Sequence, residues 1–504
     1  MQSSGPIETD IVLLGAGHAH VEVLRRFAMK PWPGVRLTII GREPLTPYSG
    51  MLPGLIRGDY THDEAHIDIA PLAAHARARL ILGEAAAFDP RTRTVAVPGR
   101  PDVPFDILSI DIGGLPAVPE HSGIGVKPIG RFLDQLEGLE ADLPDGARVS
   151  VIGGGPGGTE LALALARRFA GRLRLTLVSA TPDPVASAPA AVRRFVRQAL
   201  VDAQVELVCG VTASALRDGS LSLSDGSFID ADAALWATGV VGPPLLAASG
   251  VACDEDGFVR VSRTLASISH DFIFAAGDCA SVEGAPRPKA GVWAVRAGAP
   301  LAENLRRASQ KRSLKRWRPQ GAALAILGVG NAQAVAWRNG ITVRGHLVWR
   351  LKDFIDRRWM RMYTDMRMSA DPDDLMRCGG CGAKVSAEVL SAALAAIPRD
   401  GGPDMLDGLD DASVVKPPPG RLLVQSVDHF RSFFDDPYVF GQIAAAHALS
   451  DIHAMGAAPW TALAIASVPF GPSQKMRADL TAMLQGATEV LRGDGCSLVG
   501  GHSA

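Results

Sequence analysis

The sequence predicts an α/β protein with two tandem Rossmann-like dinucleotide-binding domains. The first observation is a β-turn-α-β order near the N-terminus, with strands over 10–15 and Val35–Ile40 and a helical pattern from His20 to about Ala28. Short apolar runs that end in glycine are typical of buried parallel strands. The second observation is that this order returns more than a hundred residues later. There it is expected as a strand, a helix and a second strand over Arg148–Ile152, Gly158–Phe169 and Leu173–Val178.

Size and composition indicate a globular enzyme of several domains. At 504 residues the chain is longer than one hydrophobic core usually serves. The net charge of −2 gives no field that attracts nucleic acid, and 6% aromatic residues argue against a base-stacking platform. The sequence shows no secretory signal and no apolar run of about 18 residues. Six cysteines in so long a chain favour a reducing cytoplasm over a disulfide scaffold.

The first glycine-rich turn predicts a nucleotide-binding junction. Gly15 allows a tight turn, Gly17 allows close approach of a pyrophosphate, and His18 opens the helix beside it. His20 stands where a third glycine is usual, which weakens the match. An acid that holds a ribose is expected at the end of the second strand, and Glu43 is the nearest candidate.

The second junction matches the fingerprint more closely, because Gly153, Gly155 and Gly158 supply all three glycines. Its second strand ends at 178–180 without an acid for a ribose hydroxyl, and the nearby Arg172 and Arg174 do not decide the matter. The choice between NAD and NADP therefore stays open.

Two further strand ends carry glycine. One strand runs into Gly239, and another runs into Gly277 and Asp278. With the two fingerprints, these segments stand in the order seen in the pyridine nucleotide–disulfide oxidoreductase superfamily, and residues 10–305 resemble its type II NADH dehydrogenase branch. The resemblance implies FAD in the first domain, NAD(P)H in the second and two-electron hydride transfer between them. It also places Asp278 on the ribityl chain of the flavin; the alternative is a turn residue that caps the next helix.

Other features of this half depart from the family or remain open. No Cys-x₄-Cys pair follows the first fold, so a disulfide-reductase mechanism is not expected. The resemblance places Glu160 near the nicotinamide, whereas a first-turn acid favoured by the helix dipole is an equal alternative. Lys127 either approaches the flavin or is a solvated surface lysine.

Residues 309–370 are expected to form an accessory segment. It begins with basic residues 310–319, continues with strand-like runs over 322–327 and 332–337, and ends in an aromatic, basic stretch over 346–363. Type II dehydrogenases carry a membrane-facing helix at the place of this last stretch. Such a helix needs an apolar face and a cationic face. Asp353 and Asp356 weaken the cationic face, so a helix docked on its own domain is the preferred interpretation, and a peripheral membrane contact stays open.

Past residue 371 the pattern belongs to a different enzyme. Cys378, Cys381 and Lys384 lie in a glycine-rich run. A zinc site would need four ligands, and no second pair with ligand spacing follows. A flexible loop with a nucleophilic thiolate, activated by the lysine, explains the run better.

Separated acids and a C-terminal glycine motif follow this loop, and acids around a nucleotide suit Mg²⁺ that bridges phosphate oxygens. In order, these motifs resemble selenide, water dikinase (selenophosphate synthetase), whose fold is like that of aminoimidazole-ribotide synthetase. The resemblance makes Cys381 and Lys384 catalytic and implies ATP and Mg²⁺ as cofactors. The remaining carried-over residues are the metal ligands Asp411 and Asp451, the ATP contacts Asp410 and Asp428, and the dimer-spanning ATP stretch Gly501, His502 and Ser503.

The predicted organisation is an oxidoreductase domain at 1–308 with an NAD(P) subdomain inserted at about 146–240, the accessory segment at 309–370, and the N-terminal part of an α+β synthetase domain at 371–504. The family continues beyond the motif that ends here, so the kinase half is expected to be incomplete. The leading hypothesis is a cytoplasmic, homodimeric fusion in which the flavin enzyme supplies reduced selenium to the kinase. The alternatives are a peripheral type II NADH:quinone oxidoreductase with a non-catalytic tail, and a flavoprotein redox sensor.

Overall fold

The structure is a computed structural model that describes residues 6–119, 122–321, 323–364, 392–393, 395–397 and 419–503. Its helices are α1 His18–Met29, α2 Leu52–Arg57, α3 His62–Ala65, α4 Ile69–His75, α5 Ile129–Asp142, α6 Pro156–Phe169, α7 Ala190–Asp202, α8 Pro244–Ala248, α9 Gly291–Ser309, α10 His346–Thr364, α11 Pro437–Ala454 and α12 Ser473–Gly493.

The strands alternate with these helices. Those up to the second glycine junction are β1 Thr9–Leu14, β2 Val35–Gly41, β3 Leu45–Pro47, β4 His66–Asp68, β5 Arg79–Leu82, β6 Ala87–Asp89, β7 Thr94–Ala96, β8 Val103–Pro104, β9 Ile107–Ile110, β10 Leu115–Pro116, β11 Ile124–Gly125 and β12 Arg148–Ile152. The later ones are β13 Arg174–Ser179, β14 Glu206–Cys209, β15 Ala213–Arg217, β16 Ser220–Leu223, β17 Phe228–Asp230, β18 Ala233–Trp236, β19 Val240–Val241, β20 Val259–Val261, β21 Ile273–Ala275, β22 Ala280–Val282, β23 Ala325–Gly330, β24 Gln333–Arg338, β25 Ile341–Gly345, β26 Thr461–Ala466 and β27 Ser497–Ser503.

The first dinucleotide fold is a five-stranded parallel sheet in the order β21-β9-β1-β2-β5. Its central strand β1 is buried from Asp10 to Leu14, and α1 and α9 pack together beside it. Because all five strands are parallel, their carboxyl ends lie at one edge, where Gly15 and Gly277 follow β1 and β21. The predicted first fold is confirmed.

The second fold is also a five-stranded parallel sheet, in the order β11-β18-β12-β13-β14. Short strand-like runs at Thr94–Val97, Leu207–Val208 and Leu221–Leu223 predict a β-meander beside these folds. The strand at Leu207–Val208 is present, but its assignment to the meander was wrong. Val178 pairs with Val208 in parallel register, so β14 belongs to the nucleotide-binding sheet. A short apolar run cannot distinguish these two settings, and only the crossover through α7 decides between them.

The accessory segment forms a three-stranded antiparallel sheet, β23-β24-β25, followed by α10. In α10, Trp359, Met360 and Tyr363 are buried in the core of the first domain. Through these side chains α10 packs on the first domain. Leu347 and Phe354, on its other side, are 78% and 57% exposed. No helix among the described residues is long and apolar enough to cross a bilayer.

In the C-terminal unit α11 and α12 pack closely, because Gly441 and Gly486 each lie against the backbone of the opposite helix. Strands β26 and β27 pair in parallel beside them.

This unit docks on the oxidoreductase domain through ion pairs. Asp479 on α12 accepts from Arg36 at 2.5 Å and from Arg79 at 2.9 Å, and Lys475 donates to Asp10 at 2.6 Å. These three partners on the first domain stand at the amino ends of β2, β5 and β1. The C-terminal unit therefore covers the edge of the sheet opposite the glycine junctions.

Candidate functional sites

The first glycine junction packs directly on the end of β9. Gly15 has φ +93° and Gly17 begins α1, and a Cβ at either position would overlap Asp111. The helix starts without a side-chain cap from Gly17, so backbone N–H groups of its first turn face the turn. This geometry suits a phosphate at the helix N-terminus.

Asp111 takes up two of the N–H groups of this helix end. Its Oδ2 accepts from Ala19 N at 2.8 Å and from His20 N at 3.3 Å. Burial raises the pKa of this carboxyl to about 7, although the two backbone hydrogen bonds oppose the rise. The sequence reasoning missed this residue. Its signal was available, because Asp111 is followed by Gly113 and Gly114 at a strand end.

His20 is a structural residue. It is fully buried, with Nδ1 2.6 Å from the carbonyl oxygen of Gly15 and Nε2 2.8 Å from Oγ of Ser109. Burial lowers its pKa to about 4, so the ring is neutral and bridges β9 and the turn. The missing third glycine therefore does not remove the junction, because the imidazole joins helix to sheet in its place.

A cavity of about 420 Å³ runs from this junction along the carboxyl edge of the sheet. Its wall includes His18, Glu43, Lys127 and Asp278, and reaches Gly291 at the start of α9. Lys127 donates a hydrogen bond to Asp278, and the two residues form an ion pair in the cavity wall.

His18 is the clearest sign that the cavity holds a polar ligand. Its half-buried ring lies against Tyr48 and Trp359, with centroids 5.5 and 5.3 Å away. Burial lowers its pKa to about 4, and its Nε2 is buried without a hydrogen-bond partner in the described structure. A buried polar atom needs a partner, and an extended dinucleotide such as FAD fits a wall that combines this atom with a helix N-terminus.

Glu43 also lies in the cavity wall, where Arg42 Nε donates to it at 3.2 Å. Its carboxylate packs against Gly130 at the start of α5. Its assignment as a ribose ligand stays a prediction.

The second glycine junction repeats the first in cleaner form. Gly153 has φ +124°, and a Cβ at Gly158 would overlap the carbonyl oxygen of Gly153. Gly155 faces open space and begins α6 with no side-chain cap. Gly239, after β18, likewise has no heavy atom near its Cβ position. Open space beside a free helix N-terminus fits a second dinucleotide.

The arginines weighed from the sequence lie away from this junction. Arg174 begins β13 at the opposite edge of the sheet, and Arg172 donates to the carbonyl oxygen of Glu140 at 2.6 Å. Arg197, on α7, instead donates to Asp183 at 2.6 Å, shortly after the end of β13. Sequence spacing could not reveal this pair, because the crossover helix brings it back to the strand end.

Glu160 lies in the interior, where α6 meets the accessory sheet and α10. Its Oε1 accepts from Gly328 N at 2.8 Å, and burial raises its pKa against the opposing charges of Lys352 and Arg57. Lys352 in turn donates to Asp356 at 2.7 Å. Glu160 is thus part of a buried ionisable cluster that links three units of the chain, and it does not act as a simple first-turn acid.

The cysteines of the described residues do not form a redox pair. Cys279 directly follows Asp278, but it is buried and burial raises its pKa to about 12. Cys209, Cys253 and Cys496 are free thiols as well.

In the C-terminal unit, Asp428 and Asp451 approach the same face of α11. Asp451 accepts from Ser426 at 2.9 Å, and Asp428 Oδ2 lies 3.9 Å from Nε2 of His447, one turn before Asp451. No group of three metal-binding side chains occurs among the described residues. The other predicted residues of this site, Cys378, Cys381, Lys384, Asp410 and Asp411, lie outside the part of the chain that the structure describes.

The glycine motif at the C-terminal strand is a close backbone approach. Gly501 pairs with Ala464 across β26 and β27, and a Cβ there would overlap the carbonyl oxygen of Ala464. His502 and Ser503 continue the strand, and Ser503 is buried. Their contact with ATP stays a prediction.

Comparison with known proteins assigns the first half. Residues 9–298 match the family described as pyridine nucleotide-disulphide oxidoreductase. The chain belongs to this family. Residues 409–504 match the N-terminal domain of AIR synthase related proteins. The chain is therefore a fusion of a flavoprotein-type oxidoreductase domain and a synthetase-type domain.

The C-terminal relatives are selenide, water dikinases. The protein from Nitratidesulfovibrio vulgaris strain Hildenborough is 43% identical over 133 residues, which cover 25% of this chain and 37% of that protein. The protein from Pseudomonas straminea is 44% identical over 148 residues, covering 28% and 41%. The chain thus spans about two fifths of the length of the relatives it matches.

The solved structures that resemble the chain share its fold. The sulfide:quinone oxidoreductase of Aquifex aeolicus has a TM-score of 0.59 at 17% identity, over 71% of this chain and 92% of that one. An NAD-dependent persulfide reductase from A. fulgidus has a TM-score of 0.54 at 20% identity, over 65% and 63%.

Proposed function

We propose that the chain is an FAD-dependent NAD(P)H oxidoreductase fused to selenide, water dikinase, and that the first activity supplies reduced selenium to the second. The observation that carries the first half of the proposal is the pair of glycine junctions, each with a helix N-terminus at the carboxyl edge of its own parallel sheet. Bound FAD would take an electron pair from the nicotinamide and pass it to an acceptor.

The residues of the first cavity have separable tasks. The start of α1 binds the diphosphate of FAD, and Asp278 holds the ribityl chain with its charge balanced by Lys127. His18, neutral and packed against the stacked rings of Tyr48 and Trp359, supplies one hydrogen bond from a fixed position. Tyr48 and Trp359 exclude water beside it, with ring centroids 4.3 Å apart.

The kinase half is proposed from its relatives and from the position of its acids. It would convert ATP, selenide and water to selenophosphate, AMP and phosphate. Asp451 on α11 and Asp428, which approaches the same helix face at His447, are suited to bind Mg²⁺ and ATP respectively. Cys381 and Lys384 would act on selenium.

The first experiment is an anaerobic titration of the purified full chain with NADH and then NADPH, followed by its visible spectrum. Flavin bands that bleach with one nucleotide support the oxidoreductase and identify its donor. A folded preparation that takes up no added flavin overturns it.

The second experiment incubates the full chain with NAD(P)H and an oxidised selenium donor, and measures released selenide. Adding Mg²⁺-ATP and following selenophosphate by ³¹P NMR tests the kinase. The Cys381→Ala variant is the matched control, because it should keep selenide release and lose selenophosphate. NAD(P)H oxidation with quinones alone would count against the selenium role.

A second candidate, a peripheral NADH:quinone oxidoreductase, is favoured by one observation. The outer side of α10 exposes Leu347, Leu351 and Phe354 together with several arginines. An apolar face flanked by cations is what an interfacial helix requires. Co-sedimentation with anionic vesicles that is lost on Leu347→Ser and Phe354→Ser, together with quinone turnover, would support this candidate.

A further inference from the structure

A basic segment leads from α9 to the accessory sheet, and it is not a loose linker. We define residues 310–320 as the basic strap. It has no acidic residue, and its cations are Lys311, Arg312, Lys315, Arg316 and Arg318. All five are exposed.

The strap is pinned along its length although it has no regular secondary structure. Asn304, fully buried in α9, accepts from Lys315 N and donates to Lys315 O, both at 2.8 Å, and it also binds the carbonyl oxygen of Thr264. Trp317 N donates to the carbonyl oxygen of Arg263 at 2.7 Å. Leu314 and Trp317 pack on the core of the first domain. The apolar side chains therefore point inward, and the charged ones are presented to solvent.

Two more arginines extend this surface toward α9. Arg287 lies 4.3 Å from the ring of Trp293 and 5.9 Å from that of Trp317, and Arg296 lies 5.4 Å from Trp293. Nε of Arg287 and Nη1 of Arg296 are buried without a hydrogen-bond partner in the described structure. Neither arginine forms an ion pair with a described residue, so the two charges stand close together without an acid.

This surface begins beside the flavin cavity. Gly291 and Ala294, in the first turn of α9, line the cavity, and Trp293 between them contacts the arginines. A helix with its side chains is about 10 Å across. A partner bound at Arg287 and Arg296 would therefore lie about one helix diameter from the cavity that we assign to FAD.

The side chains on this surface exclude some classes of partner. Within the strap no large apolar side chain is exposed, so the strap has nothing to insert into a lipid surface. The two tryptophans are half-buried beneath arginines and are not open for base stacking. Lys315 also lies 3.4 Å from Glu303, and the other four cations of the strap form no ion pair with a described residue. A fixed and predominantly basic surface matches a charge-steered, transient protein encounter of the kind used in electron transfer.

We propose that the basic strap, with Arg287 and Arg296, docks an acidic one-electron carrier protein that exchanges electrons with the flavin. The inference rests on the flavin oxidoreductase activity proposed above and names a class of acceptor for it. The step balances as NAD(P)H and two oxidised carriers giving NAD(P)⁺, two reduced carriers and one proton. The two electrons leave the reduced flavin one at a time, and the proton leaves to solvent.

The test compares three acceptors of the full-length protein under NAD(P)H. Rubredoxin is a small acidic carrier, cytochrome c is a basic one, and ferricyanide is a small ion that needs no docking. We expect rubredoxin reduction to fall steeply with added salt and cytochrome c reduction to be slow. The charge-reversal variant Lys315→Glu, Arg316→Glu, Arg318→Glu should lower kcat/KM for rubredoxin at least tenfold and leave the ferricyanide rate unchanged.

A matched control carries the same charge change elsewhere. Lys30→Glu, Arg91→Glu, Arg217→Glu replaces three exposed cations outside the strap, and it should keep more than half of the rubredoxin kcat/KM. Equal losses in both triple variants would mean that net charge alone matters, which overturns the proposal.

Other outcomes are equally decisive. If the rate at which the wild type reduces rubredoxin does not depend on salt, the docking site is overturned. The same holds if the wild type reduces ferricyanide normally but does not reduce rubredoxin. Both outcomes leave the proposed oxidoreductase activity intact. The docking proposal is also overturned if the strap binds a single-stranded oligonucleotide or anionic vesicles and the protein does not reduce rubredoxin. That result would assign the surface to another partner. If the wild type does not reduce ferricyanide with NAD(P)H, the proposed oxidoreductase activity itself is refuted.

Discussion

Replacing Asp111 with asparagine tests the electrostatics of the first junction. The carboxyl is fully buried and its pKa rises to about 7, so the folded apoprotein holds a proton that the unfolded chain releases near 3.8. Asparagine keeps the acceptor oxygen for Ala19 and His20 and never ionises. The substitution therefore separates the charge of this residue from its hydrogen bonds.

The size of the effect follows from proton linkage. Because the native state binds more protons than the unfolded state between these two pKa values, stability is highest below 3.8 and falls as pH rises toward 7. Each pH unit contributes about 1.4 kcal/mol, so wild type should lose about 3 kcal/mol relative to Asp111→Asn between pH 5 and pH 8. His18 and His20 have lowered pKa values and act in the opposite direction below 6.5. Only the difference between the two proteins isolates Asp111.

The assay is urea unfolding of both apoproteins at several pH values, with flavin removed. FAD affinity gives a second readout, because a diphosphate beside an ionised Asp111 is repelled. The dissociation constant of FAD should rise above pH 7 in wild type and stay flat in the variant. Parallel stability curves for the two proteins, with equal pH slopes, would refute the reasoning.

Three further substitutions separate the parts of the molecule. In Gly158→Ala the added methyl group overlaps the carbonyl oxygen of Gly153 and pushes α6 away. The KM for NAD(P)H should therefore rise at least tenfold while the flavin content is unchanged. An unaltered KM in ferricyanide assays would contradict NAD(P)H binding at the second junction. Asp278→Ala should release FAD during gel filtration, and one flavin retained per chain would argue against its ribityl role. Asp479→Ala removes the acid that pairs with Arg79 and leaves Arg36 with Asp10 as its remaining acid, so it should destabilise the docked C-terminal unit by about 3 kcal/mol. Its control is the exposed Asp494→Ala, and equal resistance of both to limited proteolysis would show that the docked contact contributes nothing.

Much of the nucleotide-binding architecture followed from local chemistry. A buried parallel strand needs a continuous apolar run, and a helix that begins at a phosphate needs glycine, so β1, β12 and their following helices could be recognised without tertiary information. The same reasoning failed at β14, because a four-residue apolar strand looks alike in a meander and in a parallel sheet. The order of the strands depends on crossovers, which no local pattern encodes.

The candidate sites divide in the same way. Glycines and acids at strand ends, such as Gly17 and Asp278, are predictable because their role depends on the adjacent backbone. The contacts of Asp111 with α1 and of Glu160 with Gly328 depend on residues far apart in the chain, and only packing brings them together.

The sequence by itself determined that this protein has two glycine-cornered nucleotide folds followed by part of a second enzyme, because glycine positions and apolar periodicity are local properties. Only the tertiary structure decided that His20 replaces a glycine by bridging helix and sheet, that α10 buries its aromatic face, and that the C-terminal unit covers the sheet edge away from the cavity. Burial and pairing are properties of surfaces that meet in three dimensions. The pKa values of Asp111 and Glu160 follow from those surfaces and from no pattern along the chain.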